Sequence, residues 1–347
     1  MQRVPYYTEF DGTVHEIEFP ISRIVDPKEI RNELGLPDYL DLSNPVMERA
    51  EISIWAARNA PTLFPDLAHK KTIQPIPSLL IGGGAVRMLS PSANDPSGPF
   101  QRRIHDLDFI VPKNQGSKFV LLLSQLGKVA GTRYHYFLTE SDTMFNALRS
   151  GERYRIRALD WDGNDPKVVE TDIFVERLRM KHIVQVSEEF NVAREKLYTI
   201  GLDKLILSKV QLIADLEESD LQRLERAGQA FRILPYKYNK HVIIGMEGKD
   251  ILDVCALFHD HGTGVNGLSP ANLVHTIRGD ERLLLTVRLN LQNILDRAEW
   301  LHSKGLTERQ ITKITEAVTT TLHALPSVNK RWNKPWWNTD VATPVIS

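Results

Sequence analysis

The chain has 347 residues, 42% hydrophobic and 25% charged, an ordinary globular composition that excludes disordered or collagen-like chains. Lys and Arg number 43 against 44 Asp and Glu, and the formal net charge of -1 argues against a protein living on nonspecific phosphate contacts. One cysteine cannot form an intrachain disulfide, the opening MQRVPYYTEFDG lacks the apolar run of a signal peptide, and no stretch nears the ~18 apolar residues of a membrane span. The expectation is a soluble, cytoplasmic protein with no membrane partner.

Residues 1–75 mix short polar and apolar runs with prolines and read as an N-terminal extension carrying one helix over Val46–Ala57. From 76 to 185 the pattern changes: PSLLIGGGAVRML is an apolar run, a glycine cluster and a helix-compatible run, and HDLDFIV is a strand. SKFVLLLSQLGKV reads as a helix, GTRYHYFLT, RYRIRALDW and KVVETDIFV as strands, and DGND as the turn joining the last two. Helical periodicity then runs through 188–232, 247–260, 270–279, 281–302 and 307–324, giving an α-helical domain over 186–325. Residues 326–347 are aperiodic and read as a poorly ordered tail whose Trp332, Trp336 and Trp337 could dock on a partner. The fold class is α+β, an α/β core with a mixed sheet followed by the helical domain.

Three features carry chemistry. Gly82, Gly83 and Gly84 stand between a strand and a helix start, where bare backbone can approach a phosphate or simply turn tightly. A P-loop would need Gly-Lys-Ser/Thr where Ala85-Val86-Arg87 stand, and a dinucleotide fingerprint would need a glycine at Arg87. Asp106 and Asp108 flank Leu107 at the head of a strand and share one face, where like charges call for a divalent cation. A second Asp-x-Asp, Asp160-Trp161-Asp162, lies in the DWDGNDP turn and reads as a hairpin connection. Asp172 sits among Val168, Val169, Ile173, Phe174 and Val175, and an acid there costs desolvation unless it binds something. Glu170 shares its face and competes for the role. Three converging carboxylates would form a two-metal phosphoryl-transfer site.

GGGAVR, RRIHDLDFIV and ETDIF together resemble the DNA polymerase β-type nucleotidyltransferase superfamily, and Arg103 through Phe109 is similar to the R-[ST]-x-D-L-D-F form of the AbiEii/AbiGii-type toxin nucleotidyltransferases. LDKLILSKVQLI and KDILDVCALF are similar to that group's lysine-bearing helix and R-D-x-x-D helix, with Lys249 where arginine is usual. The resemblance covers roughly 78–260, with a long insert at Ser90–Pro99. It implies that two of Gly82, Gly83 and Gly84 hold a triphosphate and that Asp106, Asp108 and Asp172 bind two Mg²⁺ ions. Arg103, Lys209, Lys249, Asp250 and Asp253 would complete the nucleotide site, with Lys209 on phosphate. It further implies transfer of an NMP from a nucleoside triphosphate to a hydroxyl of an unidentified acceptor (RNA such as tRNA, a protein or a small molecule), with an antitoxin as a conceivable partner. The alternative is a non-catalytic nucleotide-binding or regulatory protein that keeps the fold; Met88, Lys249 and the long insert keep it open.

At 100° per residue Lys209 centres on the stripe of Leu202, Leu205, Ile206, Ile213 and Leu216, so it either snorkels or faces a buried anion, while Lys204 falls on the opposite face as a solvated residue. Capping and the helix dipole account for Asp250. Asp253, a turn further in, needs a partner, for which Lys209 is the expectation. His259 and His261 fit a helix C-terminus, and Cys255 reads as a small core residue. Arg153, Arg155 and Arg157 share one strand face, which is either solvated or a surface for RNA or triphosphate.

Overall fold

A computed structural model describes residues 2–7, 14–19, 27–40, 44–64, 74–126, 135–162, 165–192, 198–216, 222, 233–238, 241–246, 248–264, 267–329, 332 and 335–339. They fall into two compact units, each discontinuous in sequence. The first takes Met1–Ala85, Arg103–Arg177 and Val186–Ile200, and the second takes Val86–Arg102, Leu178–Gln185 and Gly201–Ser347. The architecture is α+β with a mixed sheet, as expected.

In the first unit β1 (Gln2–Tyr7) and β2 (Val14–Phe19) form an antiparallel pair. Helices α1 (Pro27–Leu34), α2 (Pro45–Arg58) and α3 (Ala60–Leu63) follow. The α2 start is dictated locally: Asn44 accepts from the N–H groups of Val46 and Met47, and Pro45 occupies the first turn, where its missing N–H costs nothing. The main sheet has five strands: β3 (Leu79–Ile81), β4 (Leu107–Val111), β5 (Tyr136–Phe137), β6 (Arg153–Asp162) and β7 (Asp165–Val175). Their order is β3-β4-β7-β6-β5, with β4 and β7 parallel and the other neighbours antiparallel. Residues 198–200 add to the free side of β3, where Leu80 donates to the Tyr198 carbonyl at 2.6 Å.

Helix α4 (Gly82–Leu89) opens immediately after β3, so the glycine cluster lies at the junction the sequence predicted. Helices α5 (Gly116–Gln125) and α6 (Glu140–Leu148) follow β4 and β5. Gly116 lets α5 lie against β6, since a Cβ there would collide with the Tyr154 ring. Leu107, Phe109, Ile110 and Val111 are all buried, the near-continuous apolar run of a strand that has a parallel neighbour, and Phe109 meets Phe119 of α5 edge-on at 5.3 Å. Asp160 to Asp162 close β6 opposite Lys167, Pro166 and Asp165, the hairpin expected of DWDGNDP, with Gly163 and Asn164 outside the described residues.

β8 (Arg177–Arg179) and β9 (Ile183–Gln185) form a short two-stranded pair, and α7 (Glu189–Val192) is a single turn. The unbroken helical run expected over 188–232 is not found. Helix α8 (Leu202–Val210) ends at Gln211, and the chain then enters β10 (Ala214–Leu216). This strand belongs to a three-stranded antiparallel sheet with β11 (Ile233–Tyr238) and β12 (His241–Ile244), in the order β10-β12-β11. Short apolar runs fit either period, and His241-Val242-Ile243-Ile244 before Gly245 is a β-branched strand signal that the helical reading passed over. Residues 193–197, 217–221 and 223–232 lie outside the described residues.

The remaining helices of the second unit are α9 (Gly248–His261), α10 (Pro270–Ile277), α11 (Glu281–Leu295), α12 (Ala298–Ser303) and α13 (Glu308–Ala324), close to the predicted spans. Ser269, Asp280 and Thr307 cap α10, α11 and α13 with their side-chain oxygens. Asn290 of α11 joins three segments, donating to the carbonyls of Val210 and Leu212 at 2.9 and 2.7 Å and accepting from the Met246 N–H at 2.9 Å. Among the described residues no helix is long and apolar enough to cross a membrane.

The reading of the last segment as a loose tail is corrected for its tryptophans. Trp336 and Trp337 are buried against Ile213 and Leu285, and Trp332 is partly buried beside them. Trp336 Nε1 donates to Thr286 Oγ1 at 2.9 Å, and the two rings meet edge-on at 4.8 Å. Burying so much aromatic area outweighs the entropy of ordering a terminus. Trp336→Ala is therefore expected to lower the unfolding free energy by about 3–5 kcal/mol in urea titrations, with Trp332→Ala costing much less. Equal stability of Trp336→Ala and wild type would show that the segment contributes nothing to the core.

Candidate functional site

The expected site residues fall into two groups, one in each unit. In the first unit the parallel register sets Asp108 of β4 level with Asp172 of β7, so the two carboxylates project side by side from one face. The antiparallel β6 continues the row with Arg155 opposite Asp172, and the next row pairs Glu170 with Arg157. On the other side of β4, Ile81 is level with Asp108, which brings the start of α4 against it. Gly82 has φ +65°, and a Cβ there would collide with the Asp108 carboxylate. Only glycine therefore serves at 82, and the N-terminal end of α4 favours the negative charge it touches. Gly84 has a different role: its Cβ position lies 3.0 Å from Leu80 Cδ2, a packing constraint. Gly83 is half-buried in the first turn.

The arginines of this row are partly buried, and each meets a carboxylate. Arg153 Nη2 donates to Asp172 Oδ2, Arg155 Nε to Asp172 Oδ1 at 3.2 Å, and Arg155 Nη2 lies 2.8 Å from Glu170 Oε1. Arg157 Nε donates to Asp142 Oδ2 at 3.0 Å. Asp142, which the sequence reading did not single out, is buried in a capping box with Thr139 at the start of α6. Its only sequence signal was Thr139 three residues earlier. Half-burial raises the pKa of Glu170, and Arg155 draws it back only in part. For Arg155, burial lowers the pKa, but Asp172 and Glu170 outweigh it and hold the guanidinium above its ordinary value.

The remaining expected ligand, Asp106, is exposed one residue ahead of β4, and Arg103 is exposed as well. Among the described residues no group of three or more His, Cys, Asp or Glu side chains is gathered so as to hold a metal ion. Asp108 and Asp172 stand together, but the oxygens of Asp172 already accept from two arginines. In this arrangement the carboxylates do not fit a two-ion centre.

In the second unit Lys209 of α8 does face buried anions. Its Nζ lies 2.8 Å from Asp250 Oδ1 and 2.9 Å from Asp253 Oδ2, both on α9. The expected Lys209–Asp253 pair is present, and Asp250 has a partner beyond the helix dipole. Arg102 completes the cluster, its Nε and Nη2 each donating to an Asp253 oxygen at 2.7 Å. The resemblance placed Arg103 in the nucleotide site, and Arg102 was not expected at Asp253. Nothing local distinguishes the two neighbours, and only the buried Asp253 selects between them.

Lys204, expected to be solvated, is buried. Lys249 is exposed in the first turn of α9. The insert packs onto the same helix: Ser92 donates through its N–H and Oγ to Asp260 Oδ2 at 3.0 and 2.8 Å, and His261 Nε2 lies 3.0 Å from the Leu89 carbonyl oxygen. Cys255 is a core residue whose thiol pKa is raised by burial.

Burial alone would raise the Asp253 pKa, but Lys209 and Arg102 outweigh it and hold it down at about 2 against an ordinary 3.8. Burial would likewise lower Lys209, and Asp250 and Asp253 reverse that and raise it. A depressed carboxylate stabilises the fold above its unfolded pKa, and that stability is lost as pH falls through the folded value. Acid unfolding is thus expected to gain a component between pH 3.8 and about 2 that Asp253→Asn abolishes. Lys209→Met, which strands two buried carboxylates with Arg102 alone, should cost about 3–5 kcal/mol at neutral pH in denaturant titrations. The neutral double change Lys209→Met with Asp250→Asn should cost less than Lys209→Met alone. Comparison with known proteins finds no matching family model, no matching curated protein and no matching solved structure.

Proposed function

We propose that the chain is a nucleotidyltransferase that moves an NMP from a nucleoside triphosphate to a hydroxyl acceptor. The acceptor oxygen would attack the α-phosphorus as the bond to pyrophosphate breaks. The observation that carries this reading is the Gly82–Asp108–Asp172 row: a left-handed glycine at a strand-to-helix junction, against one carboxylate that is level with a second on the adjacent parallel strand. Such a row places the backbone and helix N–H groups of the glycine junction beside two acids, the groups that this reading assigns to a triphosphate and its acceptor hydroxyl. In this reading Gly82 admits the phosphate chain and Asp172 takes the acceptor proton. The Lys209 ammonium is committed to Asp250 and Asp253, fixing α8 against α9, and has no phosphate role in this reading.

A second reading is a nucleotide-binding protein without transfer activity, and the engagement of Asp172 by Arg153 and Arg155 is the observation that favours it. Purified protein incubated with each α-labelled nucleoside triphosphate, Mg²⁺ and either total tRNA or lysate separates the two. Transfer of label by the wild type, reduced to the no-protein background in Asp108→Asn and Asp172→Asn, is the expected result. Nucleotide binding without label in any acceptor, small molecules included, would establish the second reading. Undiminished transfer by either variant would sink the assignment of the row.

A further inference from the structure

The docked C-terminal segment hangs on a chain of hydrogen bonds that has a direction. Trp336 Nε1 lies 2.9 Å from Thr286 Oγ1, and the same oxygen lies 2.9 Å from His182 Nε2. An indole N–H can only donate, so Thr286 accepts from Trp336. The Thr286 hydroxyl hydrogen then needs an acceptor, and among the described residues His182 Nε2 is the one in reach. This network assigns a neutral imidazole, its proton on Nδ1 and its Nε2 lone pair facing Thr286. The segment also grips the residue before the histidine, the Asn338 N–H donating to the Lys181 carbonyl at 2.8 Å. His182 is itself fixed, its backbone N–H donating to Gln211 Oε1 at 3.1 Å. Trp337 Nε1, by contrast, is buried with no acceptor among the described residues, an unmet donor that undocking would hydrate.

A proton on His182 Nε2 inverts the last link. Thr286 Oγ1 would then face two N–H donors, its own hydrogen would lose its acceptor, and a cation would stand buried at the joint. We propose that residues 335–339 form a proton-sensitive strap, latched onto the second unit while His182 is neutral and released when its imidazole takes a proton. The surroundings favour the neutral form. Burial pushes the imidazole down to about 4 from an ordinary 6.5; Asp280 at the start of α11 opposes this, while Arg282 on α11 and the neighbouring Lys181 add to it. Gln211 at the end of α8 and residues 335–339 bring no charge. A histidine held low in the docked state stabilises docking fully above pH 6.5, and that stability is lost as pH falls toward about 4, because the open state takes the proton first. Release uncovers Ile213 and Leu285, the apolar surface under Trp336 and Trp337. The strap and its latch lie wholly in the second unit and do not rest on the nucleotidyltransferase reading.

The test is hydrogen exchange of the full chain, read at the Trp336 indole N–H and the backbone of 335–339, for wild type and His182→Gln at about pH 7 and about pH 5. Glutamine keeps an acceptor for Thr286 but does not titrate. Comparing the two proteins at each pH cancels the intrinsic chemistry of exchange. Opening of the wild-type strap relative to His182→Gln should rise by up to roughly 20-fold from the higher pH to the lower, the full value applying if opening restores an ordinary histidine. A ratio that does not change with pH overturns the latch. If His182→Gln does not fold, the imidazole titration of His182 followed by NMR decides the matter. A midpoint well below 6.5 in the wild type that moves upward in Trp336→Ala supports the latch. A midpoint at or above 6.5, or one that Trp336→Ala leaves in place, overturns it.

Discussion

The parallel register between β4 and β7 is the constraint on which the first unit's site depends. It sets Asp108 level with Asp172, and two carboxylates on neighbouring strands repel unless something positive stands between or beside them. The fold answers at each side of the row. The N-terminal end of α4 meets Asp108 through Gly82, and the arginines of β6 meet Asp172 and Glu170. The fixed antiparallel register of β6 and β7 sets Arg155 opposite Asp172, Arg157 opposite Glu170 and Arg153 opposite Phe174, so Arg153 reaches Asp172 diagonally and one register sets the whole charge pattern.

The second unit solves the same problem away from any strand. Lys209, Asp250, Asp253 and Arg102 come from three separate stretches of chain and balance to zero charge, with the carboxylates nearly out of water. Buried ions of this kind contribute little net stability compared with apolar packing, but removing one member leaves the others uncompensated. The cluster therefore acts mainly to specify which segments meet: α8, α9 and the end of the stretch that follows α4. Ser92 and Asp260 repeat the arrangement on a smaller scale, tying the same stretch to the C-terminal end of α9.

Much of the fold was legible in the chain. The strand-glycine-helix junction at 79–89, the Asp-x-Asp strand, the hairpin at 153–175 and the C-terminal helices all follow from period, turn chemistry and capping, which are local. The misreadings share a cause. The three-stranded sheet of β10, β11 and β12 joins short apolar runs whose period is ambiguous until a partner strand fixes it. The docking of Trp336 depends on Thr286 and Leu285, some fifty residues away, and nothing in an aperiodic segment announces such a surface.

What the sequence determined by itself is the set of groups that need compensation: Asp172 among β-branched and aromatic neighbours, Lys209 centred on an apolar stripe, Asp253 inside an apolar helix. Desolvation is a property of the local pattern, so each of these could be marked in advance. Only the tertiary structure decided which partner answers each need. Arg102 rather than Arg103 meets Asp253, and Arg153 and Arg155 rather than a third carboxylate meet Asp172. The physical reason is that a charge's cost is set by its own surroundings, whereas its compensation requires an opposite charge within a few ångströms, a distance that only the folded chain defines.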